Sequence, residues 1–305
     1  MLSTQRDVTA AAIHHHHAGA FVTRIIQVSA DGSRLISDSR RHRKRLPSLR
    51  FDRNGNYNRA ASATSPWLRC WAPARLAWWI AILFIVGSAC FAVASAASIW
   101  PANLPAALGT AMVINGVYFV GSLFFTTAAW LQLVESVNGD VTELMRKPRW
   151  RWFAWKPHNA GYMASLIQFA GTLLFNFNTA DSMIESLGWV EQDILIWAPD
   201  MIGSVCFLVA SYLAMIEISH GFWSFEPRQI SWWIAIINLM GCVGFQLSAI
   251  MSFYPPHPGD DMFGWMATFL TFVGACCFFA GSYLMIPELF GAGANPKPIA
   301  PQTGP

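Results

Sequence analysis

Six stretches of the chain are almost wholly apolar, and each carries the phrase G-x-x-x-F near its middle: Gly87/Phe91, Gly121/Phe125, Gly171/Phe175, Gly203/Phe207, Gly241/Phe245 and Gly274/Phe278. A window from nine residues before each glycine to twelve after it spans about 33 Å as an α-helix, enough for a hydrocarbon core of about 30 Å. Asp181 and Asp200 are the only charged residues in the six windows. The pattern predicts an all-α, polytopic membrane protein with six transmembrane helices.

A longer phrase groups the helices in pairs. An aromatic-x-Pro lead-in places Pro73, Pro157 and Pro227 fourteen residues before the glycine of helices 1, 3 and 5. Glu135, Glu217 and Glu288 stand fourteen residues after the glycine of helices 2, 4 and 6. The opening "WWIAI" at 78–82 returns at 232–236. Three tandem hairpins follow, at 70–138, 152–220 and 225–290. Lipid gives apolar helices no hydrophobic reason to associate, so small residues that let backbones approach are expected at their contacts. Gly87, Gly121, Gly171, Gly203, Gly241 and Gly274 are therefore read as helix-packing positions.

Charge orients the predicted bundle. Charged residues make up 12% of the chain, against about 25% in soluble domains, and 13 of the 20 Lys and Arg precede Ala77. The connections inside each hairpin contain no Lys or Arg, whereas those between hairpins do. Basic residues flanking spans mark the cytoplasmic side, so both termini are expected there. Residues 1–69 read as a basic, largely disordered tail, with "SRRHRKRLPSLR" (39–50) drawn to anionic lipid headgroups rather than to nucleic acid. Within that tail, alternation around Asp31-Gly32 predicts one small hairpin, and His14–His17 read as disordered. Residues 291–305 read as a disordered C-terminal tail.

The tandem helices, the aromatic-x-Pro lead-in and the close "YLMIPELF" resemble the YrhK-domain family of uncharacterised bacterial membrane proteins. The resemblance covers roughly residues 70–290 and implies helical hairpins in a bacterial inner membrane. It implies no known activity.

Three sets of residues are candidates for chemistry. Arg75, His158 and Arg228 follow the lead-in prolines at the depth of Glu135, Glu217 and Glu288, which predicts three cytoplasmic clasps at headgroup level. Helices 3 and 5 carry Gln168, Asn176, Asn178, Asn238 and Gln246; intramembrane amides serve either as interhelical glue or as the lining of a polar pathway. Asp181, Glu185 and Asp200 crowd the outer end of helices 3 and 4. That patch either gathers cations or supplies ordinary first-turn acids, which the helix dipole favours. The sequence carries no phosphate-binding glycine loop, no H-E-x-x-H and no G-x-S-x-G, so no catalytic, cofactor or metal residue is expected. The six Cys have no metal or redox spacing. The sequence favours a non-enzymatic structural or interaction module; the alternative is a small-solute or ion transporter with a polar pathway lined by helices 3 and 5.

Overall fold

The computed structural model describes residues 10–57, 65–103, 105, 108–143, 150–184, 186–253 and 261–291. Five of its helices are long and apolar enough to cross a membrane, which is the architecture of a multi-pass membrane protein. Beside them residues 10–51 build a small sheet, which corrects the all-α expectation and, for the described residues 10–57, the reading of a disordered tail.

The sheet is antiparallel, with β1 (Ala10–Ala18), β2 (Phe21–Ser29), β3 (Arg34–Asp38) and β4 (Leu49–Phe51) in sequential order. The β2–β3 hairpin forms around the expected Asp-Gly turn. Asp31 accepts from the Ser33 backbone N–H and hydroxyl, and Gly32 takes φ +82°, which glycine adopts without strain. His14–His17, read as disordered, are part of β1, paired with β2. A small core of Ile36, Leu49 and Phe51 closes over one face. Between β3 and β4 lies a single short helix, α1 (Ser39–Arg43), made from the basic run.

Six helices of 22 residues or more follow: α2 (Leu76–Ile99), α3 (Ala111–Asn138), α4 (Ala160–Asp181), α6 (Ala198–Ser219), α7 (Ile230–Met251) and α8 (Asp261–Leu289). The short α5 (Trp189–Gln192) and one π-helical turn lead directly into α6. Each long helix packs on its neighbour in the chain, and α8 returns to α2, so the six close into a ring. The hairpins are α2–α3, α4–α6 and α7–α8.

All three hairpins use one contact. A Cβ on Gly87 would lie 3.0 Å from the Gly121 carbonyl oxygen, one on Gly171 would lie 3.1 Å from that of Gly203, and one on Gly241 would lie 3.1 Å from that of Gly274. The facing phenylalanine lies as close: a Cβ on Gly203 would meet the Phe175 ring at 2.8 Å. The doubled tryptophans have a local task. Trp78 and Trp79 donate from their indole N–H groups to the carbonyls of Cys70 and Pro73, and Trp232 and Trp233 donate in the same register to Ser224 and Pro227. Each pair ties the incoming loop to the first helical turn.

Helix α4 is not among the five apolar spans, and its surroundings explain why. Its polar stripe faces α3: Gln168 accepts from Gln132, Asn176 from Thr126, and the Thr179 and Ser122 hydroxyls share a hydrogen bond. Its outer face shows Leu173 and Phe177. Helix α4 thus carries polar groups that stay inside the ring.

Candidate functional site

The six repeated phenylalanines meet on the axis of the ring. Phe91, Phe125, Phe175, Phe207, Phe245 and Phe278 are all at least nine-tenths buried. Successive edge-on and stacked contacts between centroids 4.9–6.3 Å apart join them into one layer. Offset and perpendicular ring pairs are the favoured aromatic geometries, so the layer is well packed.

A cavity opens on each side of the layer. Phe125, Phe207 and Phe278, all from the second helix of a hairpin, floor the one nearer α1, about 90 Å³ in volume. Phe91, Phe175 and Phe245, all from the first helix of a hairpin, floor the one at the far end, about 290 Å³. Either volume exceeds the ~10–15 Å³ that one water requires. The near cavity carries Gln132, Gln168 and Asn238 on its walls. Asn238 Oδ1 is buried without a hydrogen-bond partner, packed against Gly281, where a Cβ would fall 2.2 Å from it. The far cavity carries Asn115, Tyr118, Asn178, Asp193 and Asp200.

The mouth of the near cavity is closed by α1. Arg40 lies on Glu288 as a two-pronged fork, from Nε at 2.8 Å and Nη2 at 3.0 Å. Lys44 Nζ donates to the second Glu288 oxygen, and Ser231 Oγ to the first at 2.6 Å. Glu217 accepts from Arg43 Nη2 at 2.8 Å and from Ser39 Oγ at 2.7 Å. Glu135 is buried within the field of the same three cations. Among the described residues no three His, Cys, Asp or Glu side chains converge closely enough to hold one metal ion. Instead, Arg40 and Lys44 serve Glu288 and Arg43 serves Glu217.

Small residues make room for these contacts. A Cβ on Gly161 would fall 2.4 Å from a Glu217 carboxylate oxygen, and one on Gly139 would fall 2.4 Å from the Arg43 Cα. Gly139 caps α3 at φ −122°, which any residue adopts, so its lack of a side chain matters for the approach of α1 alone.

The docked segment is dry enough to shift its own titrations. Burial, together with the neighbouring Arg40 charge, lowers Lys44 to about 8 despite Glu288. His220 caps α6 in the left-handed conformation, with Nε2 3.5 Å from Asp38 Oδ1. Burial lowers it to about 4, outweighing the attraction of Asp38. Burial would raise the Asp38 carboxyl, but His220 and Arg24 hold it below the usual range.

Several candidate residues are placed differently from the sequence reading. Glu217 and Glu288 meet cations, but not those of the expected clasps. Arg75 donates to the Leu289 carbonyl, the His158 carbonyl accepts from the Val22 N–H, and Arg228 is exposed. The physical reason is burial: Glu217 and Glu288 lie inside the ring, out of reach of residues on its rim, and α1 enters it. Of the amides, Gln168 and Asn238 line the near cavity and Asn178 the far one. Asn176 pairs with Thr126, and Gln246 Nε2 donates to Met201 sulfur. Asp200 lines the far cavity, Asp181 ends α4 outside both, and Glu185 lies outside the described residues. Sequence reasoning missed Ser39, Arg40, Arg43 and Lys44 as partners of the bundle. The available signal was a basic run facing three unpaired acids, one per hairpin. Compared with family models, characterised proteins and solved structures, the chain matches none of them.

Proposed function

We propose that all six long helices cross the membrane and that the ring is a pathway for a small solute or ion, not a catalyst. The observation that carries this reading is the pair of cavities, each with polar side chains on its walls, on opposite faces of one phenylalanine layer. A pathway of this form conducts when the two aromatic triangles part in turn, exposing its polar walls to one side and then the other. Tandem units arranged around an axis along the membrane normal are a plan that transporters use. Helix α4 spans on this account because its polar stripe is satisfied within the ring.

The excess of Lys and Arg in the first part of the chain and between hairpins puts the sheet and α1 in the cytoplasm by the positive-inside rule. The near cavity is then cytoplasmic and the far one external. The resemblance of the hairpins to YrhK-domain proteins agrees with a bacterial inner membrane. Basic groups of the sheet and the exposed Trp67, Trp71 and Trp155 suit contact with anionic headgroups beside the bundle.

The test is solute-exchange flux in proteoliposomes, with the parent chain beside Asn238→Leu. The parent is expected to pass a subset of tracers above empty vesicles, and Asn238→Leu to pass them more slowly. No flux above empty vesicles for any charged or neutral tracer, with α1 docked or displaced, returns the chain to a packing role.

A further inference from the structure

The carboxylates at the mouth of the near cavity already hold ligands, and those ligands belong to this chain. A guanidinium forks onto Glu288, a second reaches Glu217, and an ammonium joins Glu288. Arg40 and Lys44 pair with Glu288, and Arg43 pairs with Glu217. Withdrawal of α1 strands those two carboxylates in a confined, largely apolar mouth, an unstable state unless another cation enters. Below them the cavity offers aromatic walls at Phe84, Phe125, Phe207 and Phe278, plus the polar side chains of Gln132, Gln168 and Ser211. Ring faces attract cations, and amide and hydroxyl oxygens accept from N–H donors. An anion would meet only repulsion at the mouth.

Release of α1 does not require the bundle to open. The six helices are held by their own glycine and phenylalanine contacts, and the sheet has its own small core. The short α1 enters between them, joined to strands on both sides.

We propose that the near cavity is a binding site for a small organic cation, a guanidinium or primary ammonium compound, and that α1 occupies its mouth as a tethered competitor. The proposal rests on the reading of the ring as a pathway, and it names both the substrate class and the device that regulates access. The donors seated on Glu217 and Glu288 are those a free ligand would bring, so ligand and α1 exclude each other.

The experiment uses the full chain in nanodiscs, with radiolabelled guanidinium as the probe and urea as its neutral isostere. Gly139→Val places a side chain where a Cβ already falls 2.4 Å from the Arg43 Cα, displacing α1 while leaving every charged group in place. Arg40→Gln/Arg43→Gln/Lys44→Gln is the second route to the same state should Gly139→Val fail to fold. Either variant is expected to bind guanidinium at least tenfold more tightly than the parent. Adding Glu217→Gln and Glu288→Gln should abolish the gain, and urea should not bind. A second readout is Cys242, buried in the cavity wall. With the other five cysteines replaced, its labelling by aminoethyl methanethiosulfonate should rise when α1 is displaced and fall when guanidinium is added. Unchanged guanidinium affinity in both folded variants overturns the proposal, as does a gain that survives loss of the carboxylates or extends to urea. Cation binding gained without flux in proteoliposomes would uphold this site and remove the transport reading. Flux of neutral solutes with no cation binding would do the reverse.

Discussion

Arg43 and Glu217 meet at 2.8 Å with side chains 6% and 0% exposed, which puts the pair among buried salt bridges rather than surface ones. An exposed pair contributes about 0–1 kcal/mol, whereas removing one partner of a buried pair costs about 3–5 kcal/mol because the other charge is stranded. Arg43→Met keeps the stem of the side chain and removes the guanidinium, leaving Glu217 with Ser39 Oγ as its remaining donor from α1. Docking of α1 should weaken by about 3 kcal/mol, a population shift of roughly 100-fold. Glu217→Gln alone strands the Arg43 charge and should cost a similar amount. The double variant Arg43→Met/Glu217→Gln has no stranded charge and should recover to within about 1 kcal/mol of the parent, the signature of strong coupling. Hydrogen exchange across residues 38–46, read as opening free energies, measures all four corners of the cycle. Single variants that each cost under about 0.5 kcal/mol and add without coupling would show a solvated Glu217, and the account of α1 as a seated plug would fail.

Three further predictions follow from other contacts. His220 is held neutral in the docked state, with Asp38, Arg24, His16 and Glu217 as the charged or titratable groups around it. Its docked value is the lower one, so docking is complete above about 6.5 and weakens as pH falls toward about 4, by roughly 3 kcal/mol in all. Accessibility of Cys242 against pH reads this, and a flat profile, or His220→Gln leaving the profile unchanged, refutes it. Gly203→Ala crowds the Phe175 ring, where its Cβ would lie at 2.8 Å, and should destabilise the bundle by about 1–3 kcal/mol. Gly116→Ala, with nothing within 4 Å, should be neutral or stabilising, and thermal unfolding in detergent compares the two. Phe278→Ala removes a ring that touches Phe125, Phe207 and Phe245, so proteoliposomes carrying it should leak guanidinium faster than the parent; an equal leak would mean the layer is not the barrier.

What the sequence made legible was local or periodic. The glycine–phenylalanine phrase marks where helices touch because each contact is made by residues at fixed spacing within one apolar run. The Asp31-Gly32 turn was legible because a hairpin is set by a few adjacent residues. The sheet as a whole was not, since its core of Ile36, Leu49 and Phe51 is small and scattered among basic and polar residues that mimic a disordered tail. Spacing along the chain places Glu217 and Glu288 at headgroup level beside rim cations, and no local pattern points to a segment 174–248 residues away. The amide stripe of α4 was visible, but its division between direct bonds to α3 and cavity wall depends on which face α3 presents.

The separation along the chain between α1 and its acceptors has a consequence for biosynthesis. The ribosome delivers α1 before any of the long helices and Glu288 after nearly all of them, so an early bundle offers α1 no complete set of partners. Final engagement of α1 therefore has to wait until the last hairpin has been made.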